Sequence, residues 1–557
     1  MRFNYLLLRL FIAPLFFSNL CSGQTAFKTI DTLKINKISA AVSVHGDLWR
    51  DTGNSNFSRF PYADTVSVAY RGNLWFAGFD TAGTLHVAAQ AFRQTGIDYW
   101  PGPLDASDTL TYTNSQKWAR IWKVDYNDIN TFLAITTHTV SNTPKAILEW
   151  PAKGNINAKG AGGASLSITN DMAPFVDVDH DGSYNPLNGD YPLLKGDQML
   201  WWVFSDNGPT HSETNGKALK IEIHAMAYAY DRSGILENIQ YYEYHIINKG
   251  ADYHNFRIGL FADLDNGSAY NDYIGYDSAR RMGYNYNATS PDTVRNYWGR
   301  LYGYGYSSPI VGTSVIEMPG DSSLPLPAGS FMYYNNDFTI NGNPVTDTDY
   351  YRYLNATWRN GVHLKNDFKG RGIHSDGIDS TAPVCNYVFT GDPKDTNQWS
   401  ECNCNNIPYD RRYIIATTDY NFRSGQEYVF AFALVVTDTS SSNFCPLSLD
   451  SLKSITDSSW YYYRSPLMLH PAAVNELNHI AGNIKIYPNP ANANFTLNLT
   501  QKEGTYCLYN LMGQKMLGGN LKKGNNIINV EALPVGMYAL RIEAEGMITT
   551  QKLVIAR

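Results

Sequence analysis

Between Gln24 and about His470 apolar and polar residues alternate in short runs, the period-two pattern of strands with one buried face. The clearest runs cover 65–70, 84–89, 220–230, 235–247, 412–418 and 427–437, and Gly, Asn, Asp and Pro turns separate them. Helix-period stretches are short, with 446–457 the best example. The pattern predicts an all-β body, either one large β-sandwich or two fused sandwiches, with long loops across 285–361. Loops of that length are often functional. From Ile484 the rhythm quickens. Strand candidates at 484–490, 495–499, 506–509, 527–530, 537–543 and 549–555 lie between Gly and Asn turns, which predicts a small C-terminal Ig-like sandwich.

The N-terminus has a different pattern. Arg2 precedes an apolar run at 5–17, interrupted by Arg9 and Pro14, and the exit through Ser18 and Asn19 is polar. This is the form of a secretory signal peptide, with cleavage expected after Gly23. Lipidation at Cys21 is disfavoured, because Asn19 and Leu20 are not the small residues that usually precede a lipidated cysteine. No later segment approaches the roughly 20 apolar residues of a membrane span. The expected organisation is a signal at 1–23, a central all-β region at 24–470, a linker at 471–483 and a terminal module at 484–557.

That module carries a recognisable order of motifs: Tyr487-Pro488-Asn489-Pro490, a Leu511-Met512-Gly513-Gln514 turn, Leu533-Pro534-Val535-Gly536-Met537-Tyr538 and a terminal Gln551-Lys552-Leu553-Val554-Ile555. It resembles the C-terminal sorting domain of the type IX (Por) secretion system of Bacteroidetes. The resemblance implies a sorting motif that includes Tyr487, Pro488, Asn489, Pro490, Gly513, Gly536 and Tyr538. It also implies passage through the periplasm, the type IX machinery and a sorting-domain peptidase as partners, and a final place in the medium or on the outer surface, attached to polysaccharide. Central segments such as LWFAGFD (74–80), YWPGPLD (99–105), EWPAKGN (149–155), GDYPLLKGDQ (189–198), FTGDP (389–393) and DRRY (410–413) resemble a family of large secreted Bacteroidetes proteins with the same sorting domain. That second resemblance implies no activity.

Composition then narrows the class. Aromatics at 14% of 557 residues, 40 of them Tyr, exclude a disordered chain. Residues 484–557 carry eight Lys/Arg and four Glu, and the signal carries Arg2 and Arg9. Of the chain's 44 basic and 51 acidic residues, 34 and 47 therefore belong to the body, a charge of about −13 against −7 for the whole. Such a body is not a general nucleic-acid binder, and its acidity suits cation binding. Its cysteines are Cys385, Cys402, Cys404 and Cys445. An even number in an oxidising compartment predicts two disulfides. Cys402 and Cys404 are too close in sequence to bond each other readily, so one should pair with Cys385 and the other with Cys445. Zinc is disfavoured by the one-residue gap and the lack of a nearby His.

The acidity has two foci. Asp177, Asp179 and Asp181 followed by Gly182 form the first half of an EF-hand-type calcium loop, with Ser183 offering its carbonyl. Asn188 stands where a bidentate Glu would close the loop, so Asp190 is expected to do so. The competing reading is an Asp/Gly turn without metal. Asp263-Leu264-Asp265-Asn266-Gly267, continuing to Asn271, Asp272 and Asp277, follows the apolar run 258–262. Asp263, Asp265 and Asp272 should emerge together at a strand end, with calcium or a plain loop as the alternatives.

A catalytic pair can also be drawn. If 220–230 and 235–247 form a hairpin across Asp231-Arg232-Ser233-Gly234, Glu222 falls opposite Glu243, with Cβ atoms about 5 Å apart. That spacing matches a retaining glycosidase. It equally matches a metal site, and a bulge at Gly234 would shift the pairing to Tyr244. No G-x-S-x-G, H-E-x-x-H or Walker motif is present. Trp201-Trp202 and Trp460-Tyr461-Tyr462-Tyr463 could stack on sugars, although core filling is the more economical reading. The expectation is an exported, calcium-stabilised protein in a binding or structural role, with glycans or surface polysaccharide as partners. The alternative is a secreted polysaccharide hydrolase using Glu222 and Glu243.

Overall fold

A computed structural model describes residues 30–50, 58–61, 66–92, 96–295, 301–321, 326–367, 381–465, 485–509, 515–544 and 547–556. The signal, the linker at 471–483 and Gly513 with its turn lie outside these residues. The chain is all-β, and every strand ladder is antiparallel.

Two sheets make the body. The larger has nine strands, in the order Asp272–Asp277, Met282–Asn287, Val311–Glu317, Glu427–Val436, Ile239–Asn248, Ile221–Ala229, Gln198–Ser205 and Trp100–Pro101, with Trp122–Asp125 also pairing to the Gln198 strand. The smaller has six, in the order Ser330–Asn335, Arg411–Ala416, Tyr253–Asp263, Arg71–Phe79 and Leu85–Ala88, with Tyr420–Phe422 pairing to the Tyr253 strand. Ile221–Ala229 shows how sequence builds this. Ile221, Ile223, Ala225, Ala227 and Ala229 join the core shared with the smaller sheet. Met226 and Tyr228 join a second core on the opposite face. The second core also takes Leu452 and Ile455 from the helix Asp450–Arg464, so the large sheet is buried on both faces. Apolar residues on alternate positions of both faces explain why this strand reads as nearly continuous hydrophobicity.

The tyrosines fill these layers with ring area, and several of their hydroxyls find backbone acceptors, although those of Tyr244, Tyr276, Tyr286 and Tyr334 do not. Tyr241 donates to the Ser459 carbonyl at 3.2 Å, Tyr253 to the Leu219 carbonyl at 2.8 Å and Tyr99 to the Leu74 carbonyl at 2.9 Å. Tyr242 stacks on Phe432 at 4.8 Å, and Trp75 on Phe261 at 5.1 Å. Trp201 and Trp202 are fully buried, and Trp460, Tyr462 and Tyr463 pack on the second core, so these aromatics are core side chains, as the economical reading held. Gly259 lets the helix Asp347–Leu354 approach the smaller sheet, since a Cβ there would stand 2.2 Å from Leu354 Cδ2.

Several expectations shift. The helix expected at 446–457 runs Asp450–Arg464 instead, because Leu452, Ile455, Thr456 and Ser459 form one buried stripe and the aromatic tail continues it. The segment 285–361 is not a long loop. It holds Val311–Glu317, Ser330–Asn335 and the helix Asp347–Leu354, whose capping box joins Thr346 and Asp349. The hairpin register also differs. A 3-10 turn at Ile235–Asn238 delays the second strand to Ile239, so Glu222 faces Ile247 and Glu243 faces Met226.

The terminal module has five strands: Lys485–Tyr487, Asn494–Tyr509, Lys515–Asn529, Gly536–Ala544 and Met547–Ile555. They form one antiparallel sheet around Phe495, Leu497, Leu508, Leu540, Ile542 and Leu553, where a two-sheet sandwich was expected. The long hairpin breaks register between Leu499 and Glu503, and Ile555 bridges back to Ala491. Long strands interrupted by a bulge let one sheet curl enough to enclose a core, which short-strand counting could not foresee.

Candidate functional site

The loop 177–190 is closed at its neck by the short ladder Phe175–Val176 with Tyr191–Pro192, in which Tyr191 faces Val176. That pairing brings the two ends of the loop together. Asp177, Asp179 and Asp190 each turn a carboxylate oxygen to within 4.8 Å of the others. His180, at φ 59°, and Gly182, at φ 78°, make the left-handed turns that fold the acids inward. Asp190 is buried and accepts from the Val178 and Asn185 amides, both at 2.8 Å. Burial, then the neighbouring Asp179 and Asp177 charges, raise its carboxyl above the ordinary range against those amides. Asp177 Oδ2 accepts from the Gly182 amide at 2.9 Å, while its Oδ1 is buried without a hydrogen-bond partner. Asp181 stands outside the converging set, and its Oδ1 accepts from the Ser183 amide at 2.7 Å.

The second group is more deeply buried. The strand Tyr253–Asp263 ends with Asp263 paired to Arg412 on one side and Arg71 on the other. Asp263, Asp265 and Asp410 bring carboxylate oxygens within 4.8 Å of one another. Asp410 was not among the residues expected here, and 147 positions separate it from Asp263. The signal for it was present in the DRRY segment, whose alternation sends Asp410 and Arg412 to one face and Arg411 to the other. Arg412 Nε lies 3.2 Å from Asp263 Oδ2, and its Nη2 lies 3.2 Å from Asp410 Oδ1. Asp272 sits beside the group, fully buried, with neither oxygen hydrogen-bonded. The Asn285 side chain lies next to it and works against burial to hold the Asp272 carboxyl down. Burial, opposed by Arg412, pushes the Asp263 carboxyl up to about 7. Burial and the Asp263 carboxylate push Asp265 well above its ordinary value, and burial and the Asp265 carboxylate do the same to Asp272.

Glu222 and Glu243 are not brought together. Four residues of strand separate their register positions, about 13 Å along the axis. Glu222 Oε2 accepts from the Leu104 amide at 2.8 Å, and Oε1 lies 2.8 Å from His224 Nε2. Lys195 donates to Glu243 at 2.7 Å, and His245 stands between Glu243 at 3.2 Å and Glu427 at 2.6 Å. Burial works against the Glu243 carboxylate, but His245 and the Lys195 ammonium hold it down at about 2. Glu222 is likewise held below its ordinary value by His224 against burial. A cavity of about 400 Å³ is lined by Ile30, Asp31, Arg120, Lys145 and the Gly160–Gly163 turn, and none of the candidate acids lines it.

Of the cysteines, Cys402 bonds Cys445. Cys385 is a thiol instead of the expected second bridge, and Cys385 and Cys404 each pack against the main core.

In the terminal module, Asn489 of the YPNP motif accepts from the Val554 amide at 2.8 Å, and the Tyr538 hydroxyl donates to the Pro534 carbonyl at 2.7 Å. The motif residues therefore pin the first strand to the last and hold the corner before Gly536. This curled sheet with that order of motifs defines a secretion module. Residues 485–556 match the family of secretion system C-terminal sorting domains. The chain thus carries a type IX sorting domain and is exported to the medium or the cell surface. No helix among the described residues is long and apolar enough to cross a membrane.

No curated protein matches the chain. Among solved structures, a polysaccharide lyase is 8% identical over 60% of this chain and 34% of its own, with a TM-score of 0.18. A kojibiose phosphorylase from the human microbiome is 9% identical over 59% and 28%, with a TM-score of 0.23. PorZ of Porphyromonas gingivalis, a surface component of the type-IX secretion system, is 8% identical over 95% and 75%, with a TM-score of 0.12. The matched part thus spans about a third of the first two structures' length. At these scores none of the three carries an argument about fold or activity.

Proposed function

We propose that the exported body is a calcium-stabilised β-sandwich with a binding role toward glycans or a structural role outside the cell. The supporting observation is the convergence of Asp177, Asp179 and Asp190 in a loop closed by its own two-strand neck, with Asp177 Oδ1 left without a partner. The acidic group at Asp263 and Asp265 is the second place for calcium, with Asp272 beside it. The hydrolase reading is weaker. A glycosidase acid needs a raised pKa and a partner carboxylate about 5 to 9.5 Å away, whereas Glu222 and Glu243 are ion-paired, held low and farther apart.

The test is thermal melting of the chelator-stripped exported protein with and without calcium. A ligand at a hundred times its Kd adds about 2.7 kcal/mol of stability. A higher Tm in calcium, reduced in Asp177→Asn, is expected; an unchanged Tm overturns the calcium reading. Glycan-array binding without turnover is expected for the binding role. Release of reducing sugar that is lost in Glu243→Gln would establish the hydrolase instead.

A further inference from the structure

The interior acid group is more than a continuation of one loop. Asp263 and Asp410 lie at the ends of adjoining strands of the six-stranded sheet, and Asp265 follows two residues after Asp263. Asp272 opens the outermost strand of the nine-stranded sheet. The two sheets meet here, since the Tyr409 amide reaches the Asp272 carbonyl at 3.4 Å and the Ile274 amide donates to Glu401 at 3.0 Å. Three buried acids, Asp263, Asp272 and Asp410, and the half-buried Asp265 thus gather where, among the described residues, Arg412 is the cation in contact.

Charge alone would make this only an acidic cluster. A separate observation points to a ligand. Asp263 Oδ1, Asp265 Oδ1 and both oxygens of Asp272 are buried without hydrogen-bond partners, and so are the amide oxygens of Asn266, Asn285 and Asn287 around them. Asp263 and Asp272 are at most 1% exposed. Buried acceptors are normally paired, and so many together call for one species that accepts electron density from several oxygens at once. The donor set is all oxygen, which selects a hard cation over zinc. The geometry agrees: ligands on opposite sides of a calcium ion lie about 4.6–5.2 Å apart, twice a bond of about 2.3–2.6 Å, and the Asp263, Asp265 and Asp410 oxygens fall within 4.8 Å.

We propose that Asp263, Asp265 and Asp410, with Asp272 contributed by the opposite sheet, form a buried calcium site that clamps the two sheets of the sandwich together. The proposal rests on the calcium reading and adds to it Asp410, a residue from a distant strand, and a mechanical consequence. Without the ion the buried acids either repel one another across the sheet junction or take up protons. With it, the attraction of the carboxylates to one shared cation outweighs their mutual repulsion and holds the junction shut.

Calorimetric titration of the chelator-stripped, full-length exported protein with calcium chloride tests this. Two ions per chain are expected for the native protein, and one for Asp265→Asn, for Asp410→Asn and for Asp177→Asn. Removing one repelling carboxylate should leave the Tm of Asp265→Asn in chelator no lower than native, while its Tm in calcium falls below native. Two ions bound by both Asp265→Asn and Asp410→Asn would overturn the site. So would an Asp265→Asn deficit equal in calcium and chelator, which marks a plain structural role. A junction whose Tm follows pH and ignores calcium would mean that the acids share a proton, and would also overturn it. If the native protein binds no calcium, the wider reading fails as well. If it binds one ion, and Asp177→Asn alone removes that ion, only the clamp fails.

Discussion

Arg411→Met should strongly destabilise the body without touching any candidate site directly. Arg411 and Glu401 are both fully buried, with Arg411 Nη2 2.9 Å from Glu401 Oε2 and Nε 3.2 Å from the same oxygen. Arg411 also donates to Asn335 Oδ1 at 2.7 Å and to the Ile407 carbonyl at 2.9 Å. Glu401 in turn accepts from the Ile274 amide at 3.0 Å and from Asn406 Nδ2 at 2.9 Å, so the pair joins the edge of one sheet to the other. Removing one member of a buried pair leaves an uncompensated charge, at a cost of about 3–5 kcal/mol. The two donors that remain on Glu401 place this case toward the lower value. With a urea slope of about 3 kcal/mol/M, the midpoint should fall by about 1 M or more. Replacing both partners, as Glu401→Leu with Arg411→Met, should recover part of that loss, because no buried charge is then left although the Ile274 amide, Asn406 Nδ2 and Asn335 Oδ1 lose their partner in the pair. Urea unfolding followed by tryptophan fluorescence reads all three proteins. A single variant within about 0.5 kcal/mol of native, or a double variant worse than the single, would refute the reasoning.

Two further outcomes follow from named contacts. Hydrogen bonds that His245 donates to Glu243 and Glu427, outweighing burial, raise its pKa above its ordinary 6.5. Its contribution should therefore be complete below about pH 6.5 and fade as pH rises through the raised folded value. His245→Gln should lower Tm clearly at pH 5.5 and little at pH 9, and a deficit constant across that range would contradict the assignment. The Cys402–Cys445 bridge closes a separation of 43 residues, for which chain entropy gives about 4 kcal/mol. Cys445→Ser should lose stability of that order in oxidising urea titrations and match the native protein in reductant. Equal stability under oxidising conditions would show that the bridge constrains nothing.

Particular residues show how far local pattern reaches. Asp177, Asp179 and Asp190 were legible as one group because a short loop with a two-strand neck needs little beyond its own residues to close. The helix Asp347–Leu354 was also within reach, since Thr346 and Asp349 spell a capping box inside the stretch 285–361 that was expected to be long loops. The pairing of Glu222 with Glu243 failed for a specific reason. Four residues of 3-10 turn entered the connection, and a register has no memory of a tight turn that does not form. The cysteines divide the same way: an exported chain predicts a bridge, but which of two near neighbours meets Cys445 depends on how the segment before the helix Asp450–Arg464 packs.

By itself, the sequence determined the all-β class, the terminal sorting module and the stretches where negative charge concentrates. Each follows from properties of contiguous residues: side-chain alternation, motif order and carboxylates spaced two apart. Only the tertiary structure decided that the large sheet is covered on both faces, that Asp410 joins Asp263 and Asp265 while Asp181 does not join Asp177, and that Glu222 and Glu243 stand apart. Those outcomes depend on strand register and on which sheet ends meet, and antiparallel pairing between distant segments sets both through the burial of whole faces.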